Sequence, residues 1–199
     1  MSLWTKGEIT QSRSFGTQRK TPIFVDIATK ISPPSKWQDW QKLITITIQQ
    51  IKKMISFLIF LGVFLFMECV TWLTHKYIMH GLMWYFHADH HQPKYEHTFE
   101  RNDIFFVIFA TPSIILFYFG VQGGFNYLFF IASGITLYGL CYFLVHDVLI
   151  HQRFKWFKNT KNKYLIGLRK AHKIHHKHLG KEDGECFGML FVPFKYYKM

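Results

Sequence analysis

The sequence predicts an all-α, polytopic membrane protein that carries a histidine-rich di-metal site at one membrane face. Three observations carry that prediction. Residues 54–74, 104–120 and 125–145 are apolar runs of 21, 17 and 21 residues. None of the runs alternates apolar and polar residues as a half-buried strand would, and only helices or closed barrels cross lipid. Ten of the twelve histidines fall in four short clusters that follow these runs or close the chain.

Taken in order, residues 1–53 are polar, with nine Lys and Arg and few acids. Residues 12–21 contain Arg, Ser and Thr without an acid, as transit peptides do, although a disordered or interfacial tail is the simpler expectation. Pro33-Pro34 breaks any helix there, because proline lacks the N–H and restricts its predecessor. Beyond it, Trp37, Trp40, Ile44, Ile48 and Ile51 form the apolar side of a short interfacial helix over 37–53. The expected organisation is a dispensable basic tail (1–53), a membrane domain (54–193) and a C-terminal tail (194–199).

Residues 54–74 as a helix cover roughly 30 Å, the thickness of a bilayer core. The only charge in this span is Glu68. A carboxylate inside a span is costly and is a functional candidate by default, either orienting a ligand histidine or facing an interior cavity. The second and third runs are joined by Val121-Gln122-Gly123-Gly124, a turn that glycine permits, so they form a tight helical hairpin. The first span thus delivers the chain to His75, and the hairpin returns it to the same side at His146. Three crossings place all ten clustered histidines on one face.

Composition agrees. Hydrophobic residues are 49% of the chain and aromatics 19%, with 22 Phe, which suits a protein whose exterior faces lipid. The net charge of +12 fits a polybasic surface beside anionic lipid. Nucleic acid is not the expected partner, because the base-contact motifs of such proteins are absent. Residues 152–199 hold 12 of the 24 Lys and Arg, and the hairpin turn holds none. The positive-inside rule therefore puts the histidine face in the cytoplasm. The nine basic residues of 1–53 run against this, since three spans would place them on the far side. Cys69, Cys141 and Cys186 make no disulfide framework, and the first two are expected as packing residues.

The histidines repeat one grammar. His75/His80 and His146/His151 are H-x4-H, and His87/His90/His91 and His172/His175/His176 are H-x-x-HH. Positions i, i+3 and i+4 share a helix face, so each triplet can serve one centre or two adjacent ones. Positions i and i+5 diverge by about 140° on a regular helix. They could straddle a dinuclear site, or a helix end, marked by Gly81, or a π-bulge could bring them together. One zinc takes four ligands, so ten imidazoles suggest two metals, and imidazole suits Fe, Zn, Cu and Ni alike. His97 and His178 lie outside the pattern. Asp89 and Asp147 are candidates to orient imidazoles, with plain solvent exposure the equal alternative for each. Neither the H-E-x-x-H of zinc proteases nor the E-x-x-H of soluble di-iron bundles is present.

This arrangement resembles the fatty acid hydroxylase superfamily. More narrowly, THKYIMHG (from Thr74), W-x-x-H-x-x-HH (from Trp84), FERND (from Phe99), HD-x-x-x-H (from His146) and AH-x-x-HH…KEDGE-x-FG-x-L (from Ala171) resemble the bacterial beta-carotene 3-hydroxylases. The likeness covers residues 54–193. It implies a non-haem di-iron mono-oxygenase that converts beta-carotene to beta-cryptoxanthin and then zeaxanthin. Two Fe would be held by the ten histidines, with O2 as co-substrate and reduced ferredoxin as electron donor. A carotenoid dissolves in lipid, so a site at the membrane face suits it, and Trp72, Trp84, Tyr85 and Phe86 are candidates to line its access, although an interfacial aromatic belt is the simpler expectation for most of them. A hydroxylase or desaturase of fatty acyl or sterol lipids would share the histidine grammar. A membrane metal transporter or store would instead place its ligands near the bilayer midplane.

Overall fold

The computed structural model describes residues 35–92 and 99–198, and every regular element among them is helical. Pro33-Pro34, residues 12–21 and His97 lie outside the described residues. The chain divides into two units, Met1–Gln49 and Gln50–Met199. In the first, the described residues belong to the start of helix α1, Ser35–Leu73. The stretch expected as a separate interfacial helix is therefore part of the element that also contains the first apolar run.

In the second unit, α1 leads into a π-helical segment, Thr74–Leu82, and then α2, Trp84–His91. A 3-10 turn, Arg101–Asp103, opens α3, Ile104–Gln122. Helix α4, Tyr127–Phe143, runs into a second π-helical segment, Leu144–Ile150. Helix α5, Lys163–His175, is capped by the Asn162 side chain, which accepts from the N–H of Tyr164 and Leu165. Three stretches are long and apolar enough to cross a membrane: Lys36–Leu82, Arg101–Gln122 and Tyr127–Ile150. They are longer than the apolar runs themselves: the histidine-bearing π segments continue the first and third helices, the first also starts earlier, and a 3-10 turn precedes the second.

The hairpin forms as expected, with its turn beginning two residues later, at Gly123. Gly124 has φ +70° and Phe125 φ 60°, and the Asn126 side chain starts α4 by accepting from Leu128 N–H. A Cβ on Gly120 would come within 2.4 Å of the Phe129 nitrogen, so this glycine sets how closely α3 and α4 meet. Pro112 sits inside α3, where it removes a helical hydrogen bond. Beside it, the Ser113 hydroxyl reaches α4, 3.1 Å from the Ala132 carbonyl and 2.8 Å from the Thr136 hydroxyl.

Most large apolar side chains of α3, such as Phe106, Ile114, Ile115 and Phe119, face outward. Outward apolar faces of this extent are expected where the solvent is lipid. The core gathers where the helices approach the histidines: Met67, Tyr138, Val145, Leu149, Leu168, Met189 and Leu190. Cys141 packs against it, whereas Cys69 lies on the exposed face, contrary to its expected packing role. All three cysteines are free.

Candidate metal centre

The two π-helical segments answer the spacing problem of H-x4-H. In the second, His151 N–H donates to the His146 carbonyl at 2.9 Å, and at the end of the first, Met83 N–H donates to the Ile78 carbonyl at 2.8 Å. Such i to i+5 bonds widen the turn, so residues five apart come to one side. Gly81 adds a kink, with φ −117° and ψ −111°. His75 and His80 thus enter one group, and His146 lies beside His151, their rings 4.5 Å apart.

Nine of the ten expected histidines fall in two groups, each with nitrogens within 4.8 Å of one another. The first is His75, His80, His87, His91 and His175, and the second is His90, His151, His172 and His176. His146 adjoins the second, its Nε2 2.9 Å from His90 Nε2. The triplets are split between the groups. His87 and His91 go to the first while His90 goes to the second, and His172 and His176 go to the second while His175 goes to the first. His90 and His175 are the crossing residues. Neither group includes His178, whose backbone carbonyl accepts from His91 Nδ1 at 3.0 Å.

The first group is oriented by uncharged oxygens. Its Nδ1 atoms meet the carbonyls of Phe187 (His75, 3.0 Å), Lys181 (His80, 3.1 Å), His178 (His91, 3.0 Å) and Glu185 (His175, 2.9 Å). His87 Nδ1 meets the Asn102 side-chain oxygen at 2.7 Å. A carbonyl only accepts, so each Nδ1 carries the proton and each Nε2 presents a lone pair. Those Nε2 atoms lie 3.2 Å apart in the pairs His75–His87, His87–His91 and His80–His175. Two lone pairs at that distance repel, whereas a cation between them reverses the sign. Ligands at right angles on a metal–nitrogen bond of about 2.1 Å would stand about 3.0 Å apart. The donor set therefore fits a metal, and five donors exceed the four of a structural zinc.

The second group has an ionic surround. His90 Nδ1 meets Glu100 at 2.7 Å, and His146 Nδ1 meets Asp147 at 3.3 Å. Arg153 ties these carboxylates together, 3.2 Å from Glu100, 3.2 Å from Asp147 and 3.1 Å from Asp103. Asp147 thus orients an imidazole as expected. Asp89 does not: it accepts from Arg101 N–H at 2.8 Å and Arg101 Nε at 3.2 Å, and the guanidinium lies 4.3 Å over the Tyr85 ring.

Burial favours the neutral form of seven imidazoles. It lowers His87 and His175 to about 2, His91 to about 4 and His176 to about 3, with neighbouring imidazoles adding to the effect. His90, His151 and His172 are lowered for the same reasons. Burial pushes the Glu100 carboxyl up, and Arg153 opposes it. Neutral imidazole is the form that binds a metal.

Aromatic rings close over the first group. Trp84 is 5.2 Å from His80 and 5.5 Å from His91, and Phe187 is 5.2 Å from His80 and 5.3 Å from His175. Of the aromatics expected near substrate access, Trp84 meets the histidines, whereas Trp72 packs on Tyr77 and Tyr85 lies under Arg101. Glu68, left open between two roles, faces inward. One of its oxygens accepts from the N–H of Met189 (2.9 Å), Leu190 (3.0 Å) and Phe191 (3.0 Å), and the other from Tyr138 OH (2.6 Å). It anchors the segment whose carbonyls orient His75 and His175. Glu100, Asn102 and Arg153 had no assigned role in the sequence. For Glu100 and Asn102 the one signal is the polar block FERND ahead of an apolar run, and nothing comparable marks Arg153.

Comparison of the sequence with known proteins shows the family. The fatty acid hydroxylase family model matches residues 60–195. A beta-carotene hydroxylase of Pantoea ananas is 46% identical over 127 residues, 64% of this chain and 71% of the relative. One from Paracoccus sp. (strain PC1) is 38% identical over 141 residues, 70% of this chain and 86% of the relative. The chloroplastic beta-carotene hydroxylase 1 of Capsicum annuum is 36% identical over 141 residues, 69% of this chain and 44% of the relative. No solved structure matches.

Proposed function

We propose, for a chain that belongs to the fatty acid hydroxylase family, the hydroxylation of carotenoid rings at their 3 and 3' positions. Beta-carotene would become beta-cryptoxanthin and then zeaxanthin. The observation that carries this reading is the pair of abutting histidine groups at the end of three apolar helices. That is the setting for a redox enzyme whose substrate stays in lipid. The relatives named beta-carotene hydroxylase support the substrate.

In this reading the ten histidines, His75, His80, His87, His90, His91, His146, His151, His172, His175 and His176, hold two irons. The bound irons supply the oxidising power that an unactivated ring C–H bond demands. One atom of O2 enters that bond and the other leaves as water, consuming two electrons and two protons. A ferredoxin-type protein is the proposed electron source. The chain's own part is orientation and exclusion of water. Oxygen acceptors at Nδ1 aim the Nε2 lone pairs, and Trp84 and Phe187 cover the first group with apolar surface.

The basic tail after His151 supports a cytoplasmic histidine face. Reporter fusions at Tyr95 and after Met199 should read cytoplasmic, and one at Gly123 the opposite side. The function is tested by expressing the chain in a host that accumulates beta-carotene and separating the pigments. Zeaxanthin is the expected product. Unchanged beta-carotene despite correct membrane insertion would reject the assignment, and new hydroxylated acyl lipids or sterols would redirect it.

A further inference from the structure

We infer that the two histidine groups make unequal metal sites. The group around His90 and His146 holds its metal more tightly and favours its higher oxidation state. The group around His75 and His175 holds the more labile, more readily reduced metal. The inference rests on the di-metal reading above.

The two groups offer five donors each once His146 is counted with the second. Their surroundings differ in charge. All five histidines of the first group donate to neutral oxygens: four backbone carbonyls and the Asn102 amide. Where an acid lies nearby, its charge is turned elsewhere. Glu185 offers His175 only its carbonyl, while its carboxylate meets Lys195 and Tyr196, each at 3.2 Å. Asp89 is taken up by Arg101.

In the second group two imidazoles donate to carboxylates, His90 to Glu100 and His146 to Asp147. Asp103 adds a third carboxylate on the same guanidinium, so Arg153 is one positive charge against three negative ones. A carboxylate on Nδ1–H pulls the proton toward itself and makes Nε2 a stronger donor. The residual negative charge also stabilises the more highly charged metal ion, in a surround where screening by water is weak. Glu100 and Asp147 act through His90 and His146 and are positioning residues, with no contact to substrate implied.

The test uses the full chain in detergent, loaded with iron-57, with iron per chain measured and release to an Fe(II) chelator followed in time. Wild type should release iron in two phases and show two Mössbauer doublets. Glu100→Gln and Asp147→Asn keep a hydrogen-bond acceptor and remove the charge. Each should speed the slow phase by roughly 10–100-fold, the usual effect of losing such a partner, and move one doublet only. Glu100→Asp should restore the slow phase. Asn102→Asp puts a carboxylate on His87 and should slow the fast phase, a gain that misfolding cannot mimic. Monophasic release from a chain holding two irons would overturn the inequality alone, as would Glu100→Gln acting on the fast phase. A chain that binds fewer than two irons would overturn the di-metal reading with it. A chain that binds two irons with unequal release but makes no hydroxylated carotenoid would uphold the inequality while rejecting the assigned substrate.

Discussion

Replacing Glu68 by Ala should loosen the metal centre from a position that touches no histidine. The carboxylate accepts from three consecutive backbone N–H groups, Met189 to Phe191, and from Tyr138 OH. Met189 is 1% exposed and Leu190 9%, so at least two of those donors would be stranded away from water. Each stranded donor costs about 1–3 kcal/mol, giving roughly 2–6 kcal/mol, a large part of a typical stability of about 5–15 kcal/mol. At about 2–4 °C per kcal/mol for a chain of this size, the melting temperature should fall by roughly 5–20 °C. The freed segment carries the carbonyls of Glu185 and Phe187, so His175 and His75 lose their orientation and the metal content of the first group should drop. Glu68→Gln keeps the oxygen that serves all three N–H groups and loses mainly the charge, about 1–2 kcal/mol. The assay is thermal unfolding in detergent together with metal per chain for the three proteins. A Glu68→Ala protein with wild-type melting temperature and full metal content would refute the reasoning.

Three further outcomes are expected. His90→Ala or His175→Ala should abolish hydroxylation, since each crosses from its own triplet to the other group, while His178→Ala and His97→Ala keep most of it; product per inserted protein decides. A chain beginning at Met54 should insert and hydroxylate, because every candidate ligand follows that residue, and normal insertion without product would show that 1–53 contributes to the site. The metal-free protein should be most stable above pH 6.5. His91 and His176 have folded pKa values lowered to about 4 and about 3, so between those values and 6.5 the unfolded chain binds protons that the fold does not, and stability is lost as pH falls through that window. Melting temperatures at pH 7.5 and 5.0, equal within error, would contradict this.

What could be read without a structure was what local chemistry encodes. Apolar runs of bilayer length mark helices because a lipid-crossing backbone must satisfy itself. The i, i+3, i+4 spacing of the two triplets marks a shared face because a helix turns every 3.6 residues. The spacing of five in His75/His80 and His146/His151 left a dinuclear straddle, a helix end and π geometry open, and both segments adopt π geometry. The partition of the triplets was not legible, since the same spacing serves one centre or two, and only the packing of α2, α5 and the π segments sends His90 and His175 across. Apart from Asp147, the partners that set imidazole orientation were hidden for a different reason. Four are backbone carbonyls, which every residue type carries, so no side chain announces them. Glu68 shows the limit most clearly. Its charge inside an apolar run signalled a role from the sequence, but the N–H groups it holds lie more than 120 residues away in the chain, and pairings at that separation are settled by how the helices pack against the C-terminal segment.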